Sequence, residues 1–159
     1  EFSQEKRDRD DSCEVKLEDG FEEKVALIKT TPNMQSEIIE SLLDQNYKGI
    51  VLEGTGLGHA PESLYSGIEK AIEKEVPVAM TSQCIWGRTN MRVYSSGRDL
   101  LELGVFSLED MLPETAYVKL MWVLDKTQNL EEVESTMKEN LAGEMSTRTR
   151  PDTYPRQRI

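Results

Sequence analysis

GIVLEGTGLGHAPESLY, residues 49–65, joins three features that together predict a fold class. Ile50, Val51 and Leu52 form an apolar run, followed by an acid, three glycines at alternate positions and then a proline. This order predicts a strand, a glycine-rich turn and the start of a helix. Such turns commonly hold an anion, because their backbone N–H groups can approach a ligand beside a helix N-terminus. Three ligand classes fit: a dinucleotide, a nucleoside triphosphate, and a small carboxylate or amide.

The spacing of the glycines disfavours the first two classes. A dinucleotide-binding fingerprint needs its third glycine where His59 stands, and the next strand ends in hydroxyl residues rather than in an acid. A triphosphate-binding loop needs a Gly-Lys-Ser/Thr sequence, which the turn lacks. Two interpretations stay open. Either Gly54, Gly56 and Gly58 only permit a tight turn, or their N–H groups and His59 hold a small carboxylate or amide.

The sequence on both sides of this segment alternates between strand and helix patterns. Strands are predicted in KVALIKT from Lys24, in the opening segment, in VPVAMTS and, weakly, at residues 105–106. Helices are predicted between them, the first with Asn33 as its N-cap and the third ended by Gly104. This alternation predicts βαβ units, which close right-handed onto a parallel sheet.

Two more helices are predicted after the fourth strand. One begins at Pro113. The other begins at Asn129, which with Glu132 resembles a capping box, and it ends at Gly143. The predicted fold class is therefore α/β: a small doubly wound, Rossmann-like parallel sheet of about four strands with helices on both faces.

Charge divides the chain into three parts. Residues 1–22 carry nine acids, four bases and few large apolar groups, which predicts a charged linker or disordered segment. Residues 144–159 carry two acids and four arginines and are predicted to be a solvated tail, with contact to tRNA phosphates or to an acidic partner as the alternative. The folded domain is predicted to span residues 23–143.

Composition excludes several kinds of function. A net charge of −11 argues against broad binding to a phosphate backbone, and a single histidine excludes multi-histidine metal sites. The two cysteines, Cys13 and Cys84, form no metal-type cluster and are predicted to be reduced thiols. No run of about 18 apolar residues and no apolar leader occurs, so the expected location is the cytoplasm, with no membrane contact.

Candidate chemistry is expected outside the carboxyl ends of the strands, where α/β sheets bind ligands. His59 lies in one loop there, but a general base needs a nucleophile and an orienting group, so a supporting or subunit-contact role is favoured over catalysis. Cys84 lies in the other loop, where a thiol nucleophile could act, although a buried free cysteine is the commoner case. Trp86 could stack on a ligand.

Four segments taken in order resemble a known family: GIVLEGTGLGHAP, VPVAMTSQCIWGRTNMRVYSSGRDLLELGV, MLPETAYVKLMWVL and ENLAGEM. They are similar to the C-terminal domain of the L-asparaginase/glutaminase family, and within it to the D subunits of archaeal glutamyl-tRNA(Gln) amidotransferases. The likeness covers residues 23–146. It implies a larger preceding domain in which two threonines, an aspartate and a lysine release ammonia from a side-chain amide.

The resemblance also implies what this chain lacks. No Thr-Gly-Gly-Thr or Thr-Asp-Thr sequence occurs in its 159 residues, so no catalytic residue is expected here. The chain is expected to be a fragment that is inactive alone. No metal site and no cofactor are expected in it.

The implied partners follow from the same likeness. They are the chain's own N-terminal catalytic domain, a second copy in a homodimer, and an E subunit that uses ATP and Mg to amidate glutamate on tRNA(Gln), so that tRNA is met only indirectly. A cytoplasmic asparaginase domain without a tRNA role, and an amino-acid-binding or interaction module, are the alternatives.

The resemblance assigns roles to two groups of residues. The first group is expected to face the substrate or the neighbouring subunit: Gly54, Gly56, Gly58 and His59. In secreted-type asparaginases an asparagine stands where this chain has His59. The second group lies where some cytoplasmic asparaginases bind an effector amino acid, and is expected to bind an effector or to support the site: Ser82, Gln83 and Cys84.

One feature of the secreted-type enzymes has no counterpart here. They carry a glutamate in the loop after the third strand, whereas residues 87–97 contain Arg88, Asn90 and Arg92 but no carboxylate. Substrate selectivity that depends on that glutamate is therefore not implied for this chain.

Overall fold

The structure, a computed structural model, describes residue 12 and residues 14–149. Its strands are β1 (Val25–Lys29), β2 (Gly49–Gly54), β3 (Val78–Ser82) and β4 (Phe106–Ser107). Its α-helices are α1 (Glu37–Asp44), α2 (Tyr65–Glu73), α3 (Ser95–Glu102), α4 (Pro113–Lys126) and α5 (Leu130–Lys138). A 3-10 helical turn, Glu62–Leu64, leads into α2. The predicted alternation of strands and helices is confirmed.

The four strands form one parallel sheet in the order β1-β2-β3-β4. Leu27 pairs with Val51, Val51 with Ala79, and Ala79 with Phe106. β3 is buried along its whole length, as expected of a strand covered on both faces. The predicted α/β class with a four-stranded parallel sheet is confirmed.

Helices cover both faces of the sheet. The strand order follows the chain order, and right-handed crossovers in such a sheet all lie on the same face. The crossover helices α1, α2 and α3 therefore pack together on one face. They contact Ile50, Leu52 and the other side chains of β2 and β3 that point to that face. α4 and α5 pack on the other face against Val51 and Ala79. The second layer of helices thus arises from the return of the chain after β4, not from a reversal of strand order.

α4 packs closely against the start of β2. A Cβ atom on Gly49 would lie 2.7 Å from Leu124 Cδ1 and 2.9 Å from Leu120 Cδ2, so the absence of a side chain there lets the helix approach the sheet. Within the described residues no helix is both long and apolar enough to cross a membrane.

The predicted N-cap of α1 is wrong. Asn33 lies in a turn in which Met34 N donates to Thr31 O at 3.1 Å, and Ser63 Oγ fixes the turn by donating to Met34 O at 2.7 Å. The helix begins further along the chain, with Ser36 as its N-cap. The N-cap prediction for α5 is confirmed, because Asn129 Oδ1 accepts from Glu132 N at 3.1 Å.

The predicted end of α5 at Gly143 is also wrong, since the helix ends at Lys138. The residues after α5 are held against α4 by the buried ammonium of Lys119. This ammonium donates to Met137 O at 3.1 Å and to Glu139 O, and it forms an ion pair with Glu144. Contacts of the domain therefore continue beyond residue 143.

The predicted linker and tail are described only in part. Residues 1–11, residue 13 and residues 150–159 lie outside the described residues. In the described part of the linker, Glu22 N donates to Met121 O at 2.9 Å and Glu18 pairs with Lys126 at 3.1 Å. The last turns of α4 thus hold the segment that precedes β1.

Candidate functional site

The glycine turn is closed by its own backbone. Thr55 N donates to His59 O at 2.9 Å, and Gly58 N and His59 N both donate to Thr55 O, at 3.1 and 3.0 Å. These N–H groups are therefore not available to an anion. This supports the tight-turn interpretation at Gly58 and His59, and binding of a carboxylate or amide by the turn stays a prediction.

Two of the glycines are required by their surroundings. Gly58 has a φ of +94°, and a Cβ there would lie 3.0 Å from both Met80 Cγ and Thr89 Cγ2. A Cβ on Gly54 would lie 2.5 Å from Met80 Sδ. The turn therefore packs directly on Met80 of β3, which fixes the position of His59 at the sheet edge.

Ser82 and Gln83 tie the ends of three strands together. Ser82 Oγ donates to Gly56 O at 2.6 Å and accepts from Cys84 N at 3.0 Å. Gln83 Nε2 donates to Thr30 O at 2.8 Å and to Glu53 O at 3.0 Å. In this arrangement their polar groups hold the backbone of the carboxyl edge, and effector binding by them stays a prediction.

Cys84 is exposed, which differs from the buried free cysteine expected from the sequence. Gly87 N donates to Cys84 O at 2.8 Å, so residues 84–87 form a tight turn. The ring of His59 bonds to a serine rather than to this thiol. The structure therefore brings no thiol–imidazole pair together within the residues that it describes.

Large apolar side chains are exposed in the segment between β3 and α3, at the carboxyl edge of the sheet. They are Ile85, Trp86, Val93 and Tyr94, which are 73%, 58%, 50% and 59% exposed, and we call them the carboxyl-edge patch. Asn90 N donates to Leu57 O at 2.9 Å, which joins the loop that carries the patch to the glycine turn. Exposed aromatic side chains are common on surfaces that bind another molecule.

The imidazole of His59 is held between two residues at the start of α3. Its Nδ1 lies 3.2 Å from Ser96 Oγ, and its ring meets that of Tyr94 edge to face, with 5.5 Å between the centroids. Its Nε2 is closed from solvent and has no hydrogen-bond partner within the described residues. His59 is thus fixed at one nitrogen and unsatisfied at the other.

Arg88 connects the loop after β3 to the C-terminal segment. Its guanidinium pairs with Glu109, lies 3.3 Å from Asp110 and donates to Ser146 Oγ at 3.1 Å. Asp110 in turn accepts from Ser146 N at 3.0 Å. Residues 88, 109, 110 and 146 therefore form one cluster, which brings the beginning of the arginine-containing tail to the carboxyl edge.

Two of the cavities that the described residues form lie outside the glycine turn. One, of about 540 Å³, is lined by Thr89, Met91, Arg92 and residues of the C-terminal segment. The other, of about 590 Å³, lies on the outer side of α4 beside Phe21 and Trp122 and is largely apolar. Neither includes His59, and within the described residues no group of three or more metal-ligating side chains is found.

The sequence did not reveal Ser96 or Tyr94 as neighbours of His59. Both lie in the segment VYSSGR, in which Ser95 and Ser96 predict only the start of a helix. The one signal in this segment is Gly97, since a glycine can mark a place where two backbones lie close together. A Cβ added to Gly97 would lie 2.3 Å from Met91 O. That close approach packs the first turn of α3 against the backbone of Met91.

Comparison with known proteins gives the chain its family. The model of the glutaminase/asparaginase C-terminal domain matches residues 24–137. The D subunit of the glutamyl-tRNA(Gln) amidotransferase from Pyrococcus abyssi is 62% identical over 143 residues, which are 90% of this chain and 33% of that protein. The corresponding protein of Pyrococcus horikoshii is 58% identical over 150 residues, 94% of this chain and 34% of that protein.

The structural comparison agrees. The thermostable L-asparaginase from Thermococcus kodakarensis superposes with a TM-score of 0.74 at 35% identity, over 80% of this chain and 39% of that one. The chain spans about a third of the length of the curated relatives it matches. The resemblance seen in the sequence is confirmed, and the chain belongs to the glutaminase/asparaginase C-terminal domain family.

Proposed function

We propose that this chain is the C-terminal domain of an asparaginase-like glutaminase subunit that supplies ammonia for the conversion of Glu-tRNA(Gln) to Gln-tRNA(Gln). The observation that carries this proposal is the 62% identity to an archaeal amidotransferase D subunit over 90% of the chain. The chain acts in the cytoplasm as part of a homodimer. An E subunit, with ATP and Mg, uses the ammonia.

In this proposal the carboxyl edge of the sheet forms the dimer interface and one wall of the neighbouring copy's active site. Three observations support it. The glycine turn is rigid, because its backbone closes on itself and packs against Met80. The carboxyl-edge patch exposes two aromatic rings beside the turn. The ring of Tyr94, a member of the patch, meets the ring of His59 edge to face with 5.5 Å between the centroids, which joins the patch to the turn.

The domain alone releases no ammonia in this proposal, because the catalytic threonines belong to the preceding domain. His59 and Cys84 are the side chains in the described part of the edge that could be expected to do nucleophilic or base chemistry. His59 Nδ1 lies beside Ser96 Oγ, but Nε2 has no orienting partner among the described residues, and no imidazole lies beside Cys84 there, so neither has the full set of groups that such chemistry needs.

The alternatives fit less well. A plain asparaginase domain is supported by the Thermococcus kodakarensis enzyme at 35% identity, well below the 62% identity to a D subunit. An amino-acid-binding module would use Ser82 and Gln83, but their polar groups bond to backbone at the strand ends.

The test uses a chimera in which this chain replaces the matching third of the Pyrococcus abyssi D subunit. We expect the chimera to release ammonia from glutamine. His59→Ala should lower that rate about tenfold, because it removes the hydrogen bond to Ser96 and the contact with Tyr94 that join the glycine turn to the start of α3, a loss of roughly 1.5 kcal/mol. The matched control is Lys48→Ala, because Lys48 is exposed at the opposite edge of the sheet, just before β2.

Two results would contradict the proposal. One is an isolated chain that releases ammonia from glutamine or asparagine at a rate lost on His59→Ala or Cys84→Ala. The other is an active chimera in which His59→Ala and Lys48→Ala behave alike.

A further inference from the structure

The outer side of α4 carries apolar side chains that remain exposed in the described part of the chain. α4 buries its inner side against the sheet. On the outer side Val118 is 50% exposed, and Trp122 follows it one turn later. With Phe21 and Leu141 these two side chains line the largely apolar cavity of about 590 Å³, which we call the α4 cavity. A helix with apolar residues on both sides is typically covered on both sides.

The segment that precedes β1 reaches this cavity along the last turns of α4. A Cβ added to Gly20 would lie 1.8 Å from Asp125 Oδ2, so the backbone of the segment lies directly on the helix. Lys126 Nζ lies 3.1 Å from a carboxylate oxygen of Glu18 and 4.6 Å from the centroid of the Trp122 ring. The course of the segment is therefore fixed beside the α4 cavity.

Apolar side chains of the same segment are also exposed. Val15 is 96% exposed and Leu17 is 83% exposed, and they alternate with the charged residues Glu14, Lys16 and Glu18. This alternation is typical of an extended segment that lies with one side against another structure. The described residues leave both side chains open to solvent, so they do not supply that structure. Exposed apolar surface of this kind indicates a contact with another part of a protein.

The position of the α4 cavity favours one partner, the preceding domain of the same polypeptide. The matching family is by its description a C-terminal domain, and the chain spans about a third of the length of the curated relatives it matches. In such a polypeptide residues 14–24 lead from the preceding domain to β1, so that domain is tethered beside the α4 cavity. A short tether gives an effective concentration of about a millimolar or more. A second copy of the chain has no such advantage at this cavity.

The α4 cavity is separate from the carboxyl edge of the sheet. The last turns of α4 pack on the start of β2, where a Cβ added to Gly49 would lie 2.7 Å from Leu124 Cδ1. In a parallel sheet the starts of the strands lie at the amino edge, opposite the carboxyl-edge patch. No residue of that patch lines the α4 cavity. A domain at the α4 cavity and a neighbouring copy at the carboxyl edge can therefore be bound at the same time.

We propose that the α4 cavity, together with Val15 and Leu17, is the docking surface for the preceding domain, which covers it with an apolar face. The inference rests on the proposed function, which gives this chain that domain. It assigns the two exposed surfaces to different partners. The carboxyl edge contacts the neighbouring copy, and the outer side of α4 contacts the chain's own preceding domain.

The test compares hydrogen exchange in the 159-residue chain and in the Pyrococcus abyssi chimera, read by mass spectrometry. We expect the amides of residues 14–22 to exchange about tenfold more slowly in the chimera, because docking closes the segment from solvent. Peptides from α1, on the opposite face of the sheet, are the internal reference and should exchange alike in both proteins.

Val118→Glu places a charge in the α4 cavity and should restore the fast exchange of residues 14–22 in the chimera, because docking would bury that charge. The matched control is Ile38→Glu, since Ile38 is a residue of α1 that is 42% exposed. In the 159-residue chain both variants should unfold at nearly the wild-type urea concentration, because both side chains are about half exposed there. The comparison of the wild-type proteins stands whether or not Val118→Glu folds.

Four results overturn the inference. The first is equal exchange of residues 14–22 in the chain and in the chimera, and the second is a Val118→Glu chimera that exchanges like Ile38→Glu. The third is protection that appears in the 159-residue chain as its concentration rises, which assigns the α4 cavity to a second copy. The fourth is protection of the chimera that appears only when the E subunit is added.

The same experiment separates this inference from the proposed function. A chimera that protects residues 14–22 but releases no ammonia from glutamine contradicts the proposed function and supports the docking surface. A chimera that releases ammonia while residues 14–22 exchange as fast as in the 159-residue chain contradicts the docking surface alone.

Discussion

Lys119 and Glu144 form an ion pair of 2.7 Å in which the two side chains are only 7% and 8% exposed. The carboxylate also accepts from Leu141 N at 3.2 Å and Ala142 N at 2.6 Å. The ammonium also donates to the carbonyls of Met137 and Glu139 at the end of α5. This ion pair therefore supplies a hydrogen-bond donor to carbonyls at the end of α5, and it fixes the segment that follows the helix.

Removing the charge of Glu144 should strongly destabilise the domain. In Glu144→Gln the ammonium of Lys119 stays buried without a counter-charge, which costs roughly 3 kcal/mol of the free energy of unfolding. Urea unfolding followed by circular dichroism measures this difference. The matched control is Glu134→Gln, because Glu134 pairs with Lys138 on the surface, where such a pair contributes less than about 1 kcal/mol. Equal effects of the two substitutions would contradict the prediction.

The same pair predicts how stability depends on pH. Burial alone would raise the pKa of Glu144, but hydrogen bonds from Lys119 and from the N–H groups of Ala142 and Leu141 outweigh it and lower the pKa from 4.5 to about 2. Because the folded pKa lies below the unfolded one, the stabilisation is complete above about pH 5 and is lost as the pH falls towards about 2. The loss amounts to about 3 kcal/mol.

The measurement is the difference in the free energy of unfolding between wild type and Glu144→Gln across this range of pH. We expect the difference to shrink as the pH falls. A difference that does not change with pH would show that Glu144 is not the group responsible.

The two positive-φ glycines of the turn should respond differently to alanine. Gly56 has a φ of +54°, and a Cβ added there would have no atom within 4 Å, so Gly56→Ala meets only the backbone cost of about 1–2 kcal/mol. Gly58→Ala meets the same cost and also forces its Cβ against Met80 and Thr89, for a total of about 3 kcal/mol or more. Thermal unfolding compares the two variants, and a Gly58→Ala variant as stable as Gly56→Ala would contradict the packing of the turn.

Arg88 should control the order of the C-terminal segment. Arg88→Ala removes the bonds to Ser146 and frees Asp110, so the amide of Ser146 should exchange its hydrogen about tenfold faster or more. Hydrogen exchange read by NMR or mass spectrometry measures the rate. Arg92→Ala is the matched control, since Arg92 is exposed and its side chain makes no hydrogen bond in the described part of the chain. Exchange unaffected by Arg88→Ala would rule out the cluster as the anchor.

The fold followed from the sequence because local signals agreed with the packing. The apolar run at Ile50 to Leu52 and the glycines after it marked the central strand, and the helical spacing of Ile39 and Leu43 marked the buried face of α1. Asn129 is the N-cap of α5, as its side-chain oxygen and the position of Glu132 three residues later predicted. Each of these signals lies within a few residues of the element that it forms.

The errors came from interactions between distant residues. Ser36 rather than Asn33 is the N-cap of α1, because Ser63 bonds to Met34, 29 residues before it, and holds the preceding turn. α5 ended before Gly143 because Lys119 and Glu144, 25 residues apart, meet in space. The Ser96 contact of His59 spans 37 residues. Neither spacing nor composition reveals such pairs.

The central claim is tested most directly by the formation of Gln-tRNA(Gln) in a mixture of the chimera, the E subunit, Glu-tRNA(Gln), ATP and Mg, with glutamine as the nitrogen source. Ammonium chloride in place of glutamine is the control for the E subunit. We expect Gln-tRNA(Gln) to form with glutamine, and to form less when the chimera carries His59→Ala. A chimera that hydrolyses glutamine but forms Gln-tRNA(Gln) only with ammonium chloride would contradict the account.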